Sequence, residues 1–226
     1  MNEAEVRKAL EAKGCLYTGH FIGVSTKHLA GYCNIDPLMP NVKLVGELIK
    51  LIVDNFRDDG VETVASPAVG AIQFAHWGAQ HLMVGSDKEI LGVWADKVSG
   101  AEPREFIFER EGFAKAVKGK KVLIVEDMIN QMTSIKAMIK TVRDAGGTVV
   151  GVGSVAANKG VSAEALDVPK FVKLCSVEYE VWAAEDCPVN GLCAQGVPIV
   201  EDIGHGDDYK KRHPDYSGGY IKLLSD

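Results

Sequence analysis

The run from Lys120 to Asp127, KKVLIVED in one-letter code, places four consecutive apolar residues directly before two acids. An apolar run without alternation belongs to a strand buried on both faces, the parallel-sheet situation in which helices cover the sheet above and below. The following segment supplies such a cover. From Ser134 to Ala145, Ile135, Met138, Ile139 and Val142 share one face of a predicted helix, and Gly146-Gly147 stops it. TVVGVGSVA, 148–156, then reads as a second buried strand. Upstream, Val42, Val45, Leu48, Ile49, Ile52 and Phe56 recur at helical spacing before Gly60. VETVASPAVG, 61–70, holds a short strand and a Ser-Pro turn. AIQFAHWGAQ, 71–80, reads as a helix and HLMVG, 81–85, as the next short strand. Glu3 to Lys13, with Val6 and Leu10 four apart and Gly14 after it, predicts a short amphipathic helix. Strands alternating with helices predict an α/β fold with a mainly parallel sheet flanked by helices. Ligands of such sheets sit at the carboxyl ends of the strands, where Glu126 and Asp127 fall.

At 226 residues the chain suits one compact domain with a small appendage. No apolar run approaches the roughly 20 residues of a membrane span, and the N-terminus has no apolar signal-peptide core. Five cysteines at scattered positions point to a reduced, cytoplasmic chain. A net charge of −6 excludes a diffuse polyanion binder. An anionic ligand would therefore need local cations, backbone N–H groups or a metal. The segment from Lys97 to Lys121 provides local positive charge, with seven Lys or Arg against four acids.

Two adjacent carboxylates raise each other's pKa unless a cation or a polyol lies between them. One acid closing a strand is commonly the cap of the next helix; two together suit a ligand with vicinal hydroxyls. Ser66-Pro67-Ala68-Val69-Gly70-Ala71 has the small residues that let backbone N–H groups face an anion.

In LIVEDMINQMTS, 123–134, the order of apolar strand, two acids and helix-entry loop resembles the type I phosphoribosyltransferase family, most closely the orotate phosphoribosyltransferases. Further segments carry the same resemblance in the same order. GHFIGVSTKHLAGYCNID, 19–36, is similar to the family's N-terminal segment, and VASPAVGAIQFA, 64–75, to its pyrophosphate loop. ADKVSGAEPREFIFEREGF, 95–113, resembles its mobile loop and hairpin. CPVNGLCAQGVPI, 187–199, resembles its late Cys-Pro-Leu-Cys element with three extra residues between the cysteines. Together these span about residues 18 to 199. The resemblance implies a single domain over 1–226: a small N-terminal hood to about residue 40, an α/β core to about 180, and a C-terminal hood ending in an irregular arm. It also implies transfer of ribose 5-phosphate from phosphoribosyl pyrophosphate to a nucleobase, orotate first, in pyrimidine biosynthesis, by a cytoplasmic homodimer.

Residue by residue, the resemblance assigns Glu126 and Asp127 to the ribose hydroxyls, and Asn130, Gln131, Met132, Thr133 and Ser134 to the 5′-phosphate. Ala68, Val69, Gly70 and Lys97 fall to pyrophosphate, and Arg110 matches an arginine of the hairpin. Lys27 and Lys159 fall near the base. Mg²⁺ is the implied cofactor, with no direct protein ligand and reached through water near Glu126 and Asp127. The sequence departs from the family at the phosphate loop, where Asn130 to Ser134 replace a stretch that usually carries two glycines. That departure keeps a second reading open, a non-catalytic phosphoribosyl- or nucleotide-binding regulator on the same fold.

Other constellations carry less. Gly151 to Ala156 has the letters of a dinucleotide fingerprint but lies inside a strand, without the required turn and helix. Cys187 and Cys193 have no second cysteine pair at zinc spacing, because Cys15, Cys33 and Cys175 are isolated, so they read as thiols of a compact loop. His76 and His81 read as packing or capping residues. The tail from Glu201 to Asp208 reads as a solvated acidic turn, with Tyr209, Tyr216 and Tyr220 anchoring the arm.

Overall fold

The computed structural model describes residues 1–23, 26–101 and 104–224. Ser25, Glu102 and Pro103, which fall in two of the segments named above, lie outside the described residues. In chain order the elements begin with α1 (Glu3–Ala12), β1 (Leu16–Ile22), β2 (His28–Cys33), α2 (Val42–Val53) and β3 (Thr63–Pro67). There follow α3 (Ile72–Met83), β4 (Leu91–Lys97), β5 (Phe106–Ile107), α4 (Phe113–Val117), β6 (Lys121–Ile129) and α5 (Thr133–Asp144). The chain continues with β7 (Thr148–Asn158), α6 (Ala163–Leu166), β8 (Phe171–Val177), β9 (Val181–Trp182) and α7 (Cys187–Asn190). It ends with β10 (Ile199–Gly204), α8 (Gly206–Arg212) and β11 (Tyr220–Ile221).

Two compact units share the chain: Met1–Lys13 with Ile35–Val177, and Gly14–Asn34 with Glu178–Asp226. The first is built on a six-stranded sheet of order β5-β4-β3-β6-β7-β8. All of its pairings are parallel except β4 with β5. The strand predicted at Lys120–Asp127 is β6, and the helix predicted at Ser134–Ala145 is α5. Side-chain alternation decides which helix meets which face. Val122, Ile124 and Val152 join Ile135, Met138, Ile139 and Val142 of α5 in one apolar cluster. On the opposite face of β7, a Cβ on Gly151 would lie 2.4 Å from the Phe56 ring, and one on Gly153 would lie 2.2 Å from Ile52. The two glycines of the apparent fingerprint are thus the seat of α2 and of the 3-10 turn Asp54–Asp59 that prolongs it. Helix α1 carries a capping box between Asn2 and Glu5. It is fastened to β8 of the same unit, with Glu3 accepting from the Ser176 N–H at 2.7 Å and Arg7 donating to the Ser176 carbonyl.

The second unit holds a five-stranded sheet of order β11-β10-β1-β2-β9, with β1 parallel to β10 and antiparallel to β2. Phe21, Leu29, Val200 and Ile203 form its apolar centre, flanked by Tyr17, Tyr32 and Tyr179.

Two expectations are corrected. The strand predicted in HLMVG is the last turn of α3, because Leu82 continues the buried stripe of Phe74, Ala75, Gly78 and Ala79. The chain turns at Gly85, with φ 78°, and the strand is β4 instead. By compactness α1 groups with the α/β unit, while residues 14–34 and 178–226 form the other. The tail is not irregular throughout. It supplies β10, α8 and β11, and α8 carries Asp207 and Asp208 in its first turn and Lys210, Lys211 and Arg212 in its last, matching the helix dipole.

Candidate active site

Strand β6 carries its apolar residues to the carboxyl end of the sheet and then presents Glu126 and Asp127 in succession. By alternation Glu126 follows Val122 and Ile124 onto the α5 face, and Asp127 takes the other face. Glu126 is 8% exposed. Its Oε1 accepts the Asp127 N–H at 3.1 Å, while Asp127 Oδ1 accepts the Met128 N–H at 2.6 Å. Burial, and then the neighbouring Asp127, push the Glu126 carboxyl well above the ordinary carboxylate range. Burial also raises Asp127, opposed by its hydrogen bonds to Glu126 and Met128, with the Asp36 charge adding to the rise. Both carboxyls are thus shifted toward the protonated form, Glu126 the more strongly. Such a pair is a site for hydroxyl donors or for a cation.

Two backbone turns flank it. The loop after β3 runs from Ala68, whose N–H donates to the Ala95 carbonyl at 2.8 Å, through a cis Ala68–Val69 peptide to the start of α3. A Cβ on Gly70 would stand 2.9 Å from Asp127 Oδ2, so the absence of a side chain there sets how closely this loop approaches the carboxylate. After β6, only Asn130, Gln131 and Met132 separate the strand from α5, and Thr133 and Ser134 form the first helical turn. Met132 packs inward against the apolar cluster beneath α5. No side chain caps this N-terminus, so its N–H groups and the positive end of the helix dipole are available to an anion. Arg104 donates to Ser134 Oγ and also opposes the charge of Glu126. It joins the loop before β5 to the helix N-terminus and the acid pair. Sequence reading passed over Arg104; its one signal was its place in the basic stretch from Lys97 to Lys121.

A phosphoribosyl transferase domain matches residues 31–190 of this chain. The chain belongs to the phosphoribosyltransferase family. It is 30% identical over 207 residues to a protein of Desulforamulus reducens named orotate phosphoribosyltransferase, covering 89% of this chain and 96% of that one. It is 31% identical over 204 residues to the Thermotoga maritima protein of the same name, covering 89% and 98%. The fold is shared with the crystal structure of orotate phosphoribosyltransferase from Aeropyrum pernix. That match has a TM-score of 0.58 at 19% identity and covers 76% of this chain and 93% of the other.

Within this phosphoribosyltransferase, the other site residues named from sequence stand as follows. Lys97 is the exposed last residue of β4, opposite Phe106 of β5. Arg110 lies over the Trp94 ring at 5.1 Å, and Trp94 meets Phe113 edge-on, so the guanidinium is part of an aromatic stack. Lys159 follows β7, its N–H bound to the Val177 carbonyl at 3.1 Å. Lys27 belongs to the second unit, exposed in the turn before β2, where its carbonyl accepts the Gly23 N–H at 2.8 Å. Glu126, Asp127, Gly70, Ser134 and Arg104 thus form one neighbourhood of the first unit. Asp36, from a helical turn ahead of α2, adds a carboxylate to it that sequence reading did not single out.

Proposed function

We propose that this chain transfers ribose 5-phosphate from phosphoribosyl pyrophosphate to orotate, as the names of its relatives indicate for them. The buried Glu126–Asp127 pair, between the Gly70 turn and the N-terminus of α5, is the observation that carries the reading. The pair is charged at a cost, and ribose 2′- and 3′-hydroxyls answer it by donating to Asp127 and to the ionised form of Glu126. As pyrophosphate departs and positive charge develops on the sugar, the same carboxylates face it and lower the barrier. The 5′-phosphate rests on the first-turn N–H groups of α5 and the hydroxyls of Thr133 and Ser134, with Arg104 supplying a cation beside a loop that lacks glycine. Ala68 to Gly70 and Lys97 hold pyrophosphate, and Lys159 supplies positive charge for the acceptor's carboxylate.

The donor set suits Mg²⁺: two adjacent carboxylates with hard oxygens, whose burial beside each other a cation would offset. Bound through water at Glu126 and Asp127, Mg²⁺ would neutralise charge on the departing pyrophosphate. In the reading supported by the family resemblance, the enzyme works as a cytoplasmic homodimer. Among the described residues no helix is long and apolar enough to cross a membrane.

Purified protein incubated with phosphoribosyl pyrophosphate, Mg²⁺ and a panel of bases should release pyrophosphate with orotate. Binding of the donor without release for any base would instead favour the regulator reading, for which the glycine-free loop from Asn130 to Ser134 speaks.

A further inference from the structure

Away from the acid pair, the second unit gathers four side chains whose lone pairs converge. His20 in β1, His28 at the start of β2, Cys187 opening α7 and Cys193 just beyond it place one ligand atom each within 4.8 Å of all the others. His20 Nε2 stands 2.7 Å from His28 Nδ1, 3.8 Å from Cys187 Sγ and 3.9 Å from Cys193 Sγ, and Cys193 Sγ is 3.4 Å from His28 Nδ1. Tetrahedral zinc, with Zn–N of about 2.0 Å and Zn–S of about 2.3 Å, needs ligand edges of roughly 3.3 to 3.8 Å. The three sulfur–nitrogen distances above, 3.4 to 3.9 Å, lie close to that range. The two imidazole nitrogens, at 2.7 Å, must part by about 0.6 Å for the ion to enter between them.

We propose that His20 Nε2, His28 Nδ1, Cys187 Sγ and Cys193 Sγ form a structural Zn²⁺ site of the second unit.

The surroundings are those of a built site. His20 Nδ1 donates to the Val197 carbonyl at 2.9 Å, which fixes the tautomer and leaves Nε2 with its lone pair turned to the cluster. The Cys193 N–H donates to Cys187 Sγ at 3.2 Å, the kind of bond that supports a thiolate. A Cβ on Gly191 would fall 2.8 Å from Cys187 Sγ, so a glycine is what lets the chain wrap around that sulfur. The Tyr216 hydroxyl donates to the same Val197 carbonyl at 2.9 Å, and the Tyr216 and Tyr209 rings stand edge-on to His20 and His28. His20, His28 and Cys187 are wholly buried, while Cys193 is partly open and offers a way in.

With His20 Nδ1 donating to Val197, the His28 Nδ1–H is the donor of the 2.7 Å contact to His20 Nε2, and a cation shared by the two atoms would replace that single proton. Zinc binding would release the two thiol protons to solvent and leave both imidazoles neutral, so that two thiolates balance the dication. With four protein ligands the site is closed, and its role is to cross-link. It would join the β1–β2 hairpin, whose turn carries Lys27, to the segment from Cys187 to Cys193.

Sequence spacing hid this set because it is not a pair of pairs. The cysteines come from one late loop and the histidines from a hairpin more than a hundred residues earlier.

Protein purified under reducing conditions, or mixed with Zn²⁺ and desalted, should retain about one zinc per chain. Its zinc-edge X-ray absorption should show two sulfurs and two nitrogens, a measurement that requires no variant. Cobalt in its place should give tetrahedral ligand-field bands and a thiolate charge-transfer band. The Cys187→Ser/Cys193→Ser chain should lose both, while Cys175→Ser, altered in the other unit, should keep them. Failure of the reduced native chain to retain stoichiometric zinc would overturn the proposal, as would a ligand set without two sulfurs. A Cys187–Cys193 disulfide in protein alkylated at lysis would overturn it equally.

Discussion

The acid pair of β6 and the histidine–cysteine cluster of the second unit are both buried groups of ionisable side chains, yet they were assembled in opposite ways. Glu126 and Asp127 are neighbours in sequence, carried to their place by one strand. His20, His28, Cys187 and Cys193 meet only because β1, β2 and a late loop fold onto one another. Their electrostatics are opposite as well. Burial raises the carboxyls above their ordinary range and lowers the imidazoles below theirs. Burial thus favours the uncharged form in both clusters, and each would be answered by a cation. One is built from hard oxygens that suit Mg²⁺ beside a sugar phosphate; the other is built from nitrogen and sulfur that suit zinc. The difference teaches that ligand softness, more than burial or charge, is what separates the two proposed sites.

The sharpest way to break the comparison is Asp127→Asn. If the pair faces developing charge, turnover should fall by about 100-fold or more while the melting temperature holds or rises. Near-normal pyrophosphate release from this variant would remove the acid pair from the chemistry. Gly70→Ala should come next, with a loss on the order of 10-fold to 100-fold, because its Cβ would intrude on Asp127 Oδ2. Steady-state kinetics and a thermal melt together separate that displacement from unfolding. Arg104→Ala should raise the KM for phosphoribosyl pyrophosphate by about tenfold, the scale of one charge-assisted hydrogen bond. An unchanged KM would leave the 5′-phosphate to the helix N-terminus alone.

The smallest effect is the opposite response to pH. Glu126 binds its proton more tightly folded than unfolded, so stability from this group is lost as pH rises through and above the ordinary carboxylate range. Glu126→Gln should therefore melt higher than the parent at neutral pH, and the gap should close on acidification. In the metal-free chain His28 binds its proton less tightly folded than unfolded. Its contribution is present above about 6.5 and is lost as pH falls towards 4. Hydrogen exchange, corrected for intrinsic rates, should show residues 14–34 loosening over that interval while the end of β6 does not. Parallel loosening of both segments would show that the two clusters do not titrate in opposite directions.

Much of the first unit was legible because its signals are local. The continuous run Val122 to Val125 specifies a doubly covered strand, and the stripe from Ile135 to Val142 specifies the helix beside it. Both need only a window of a dozen residues. The strand expected in HLMVG failed because three apolar letters fit a helix end as well as a strand, and only the register of Leu82 with Phe74 and Gly78 decides. Arg104 was missed because its importance lies in where a loop returns to Ser134, a long-range contact that spacing does not encode. The tail looked irregular because β10 pairs with β1, far away in sequence, α8 and β11 rest on β10, and their own composition is polar.

Gly151 and Gly153 have a consequence for how this chain can change. A Cβ on Gly151 would meet both the Phe56 ring and, at 2.7 Å, the Lys170 carbonyl, whereas at Gly153 the Ile52 side chain alone stands in the way. The constraint at Gly153 is therefore conditional. A methyl group at Gly153 is barred while Ile52 stands opposite, but it becomes admissible once that residue is trimmed to alanine, since the volume lost on the helix is regained on the strand. Ile52→Ala and Gly153→Ala should each be harmful alone and partly restorative together. Variation on either side of this contact is thus expected to travel in pairs, and a chain that alters one partner has a single short route back to stability through the other.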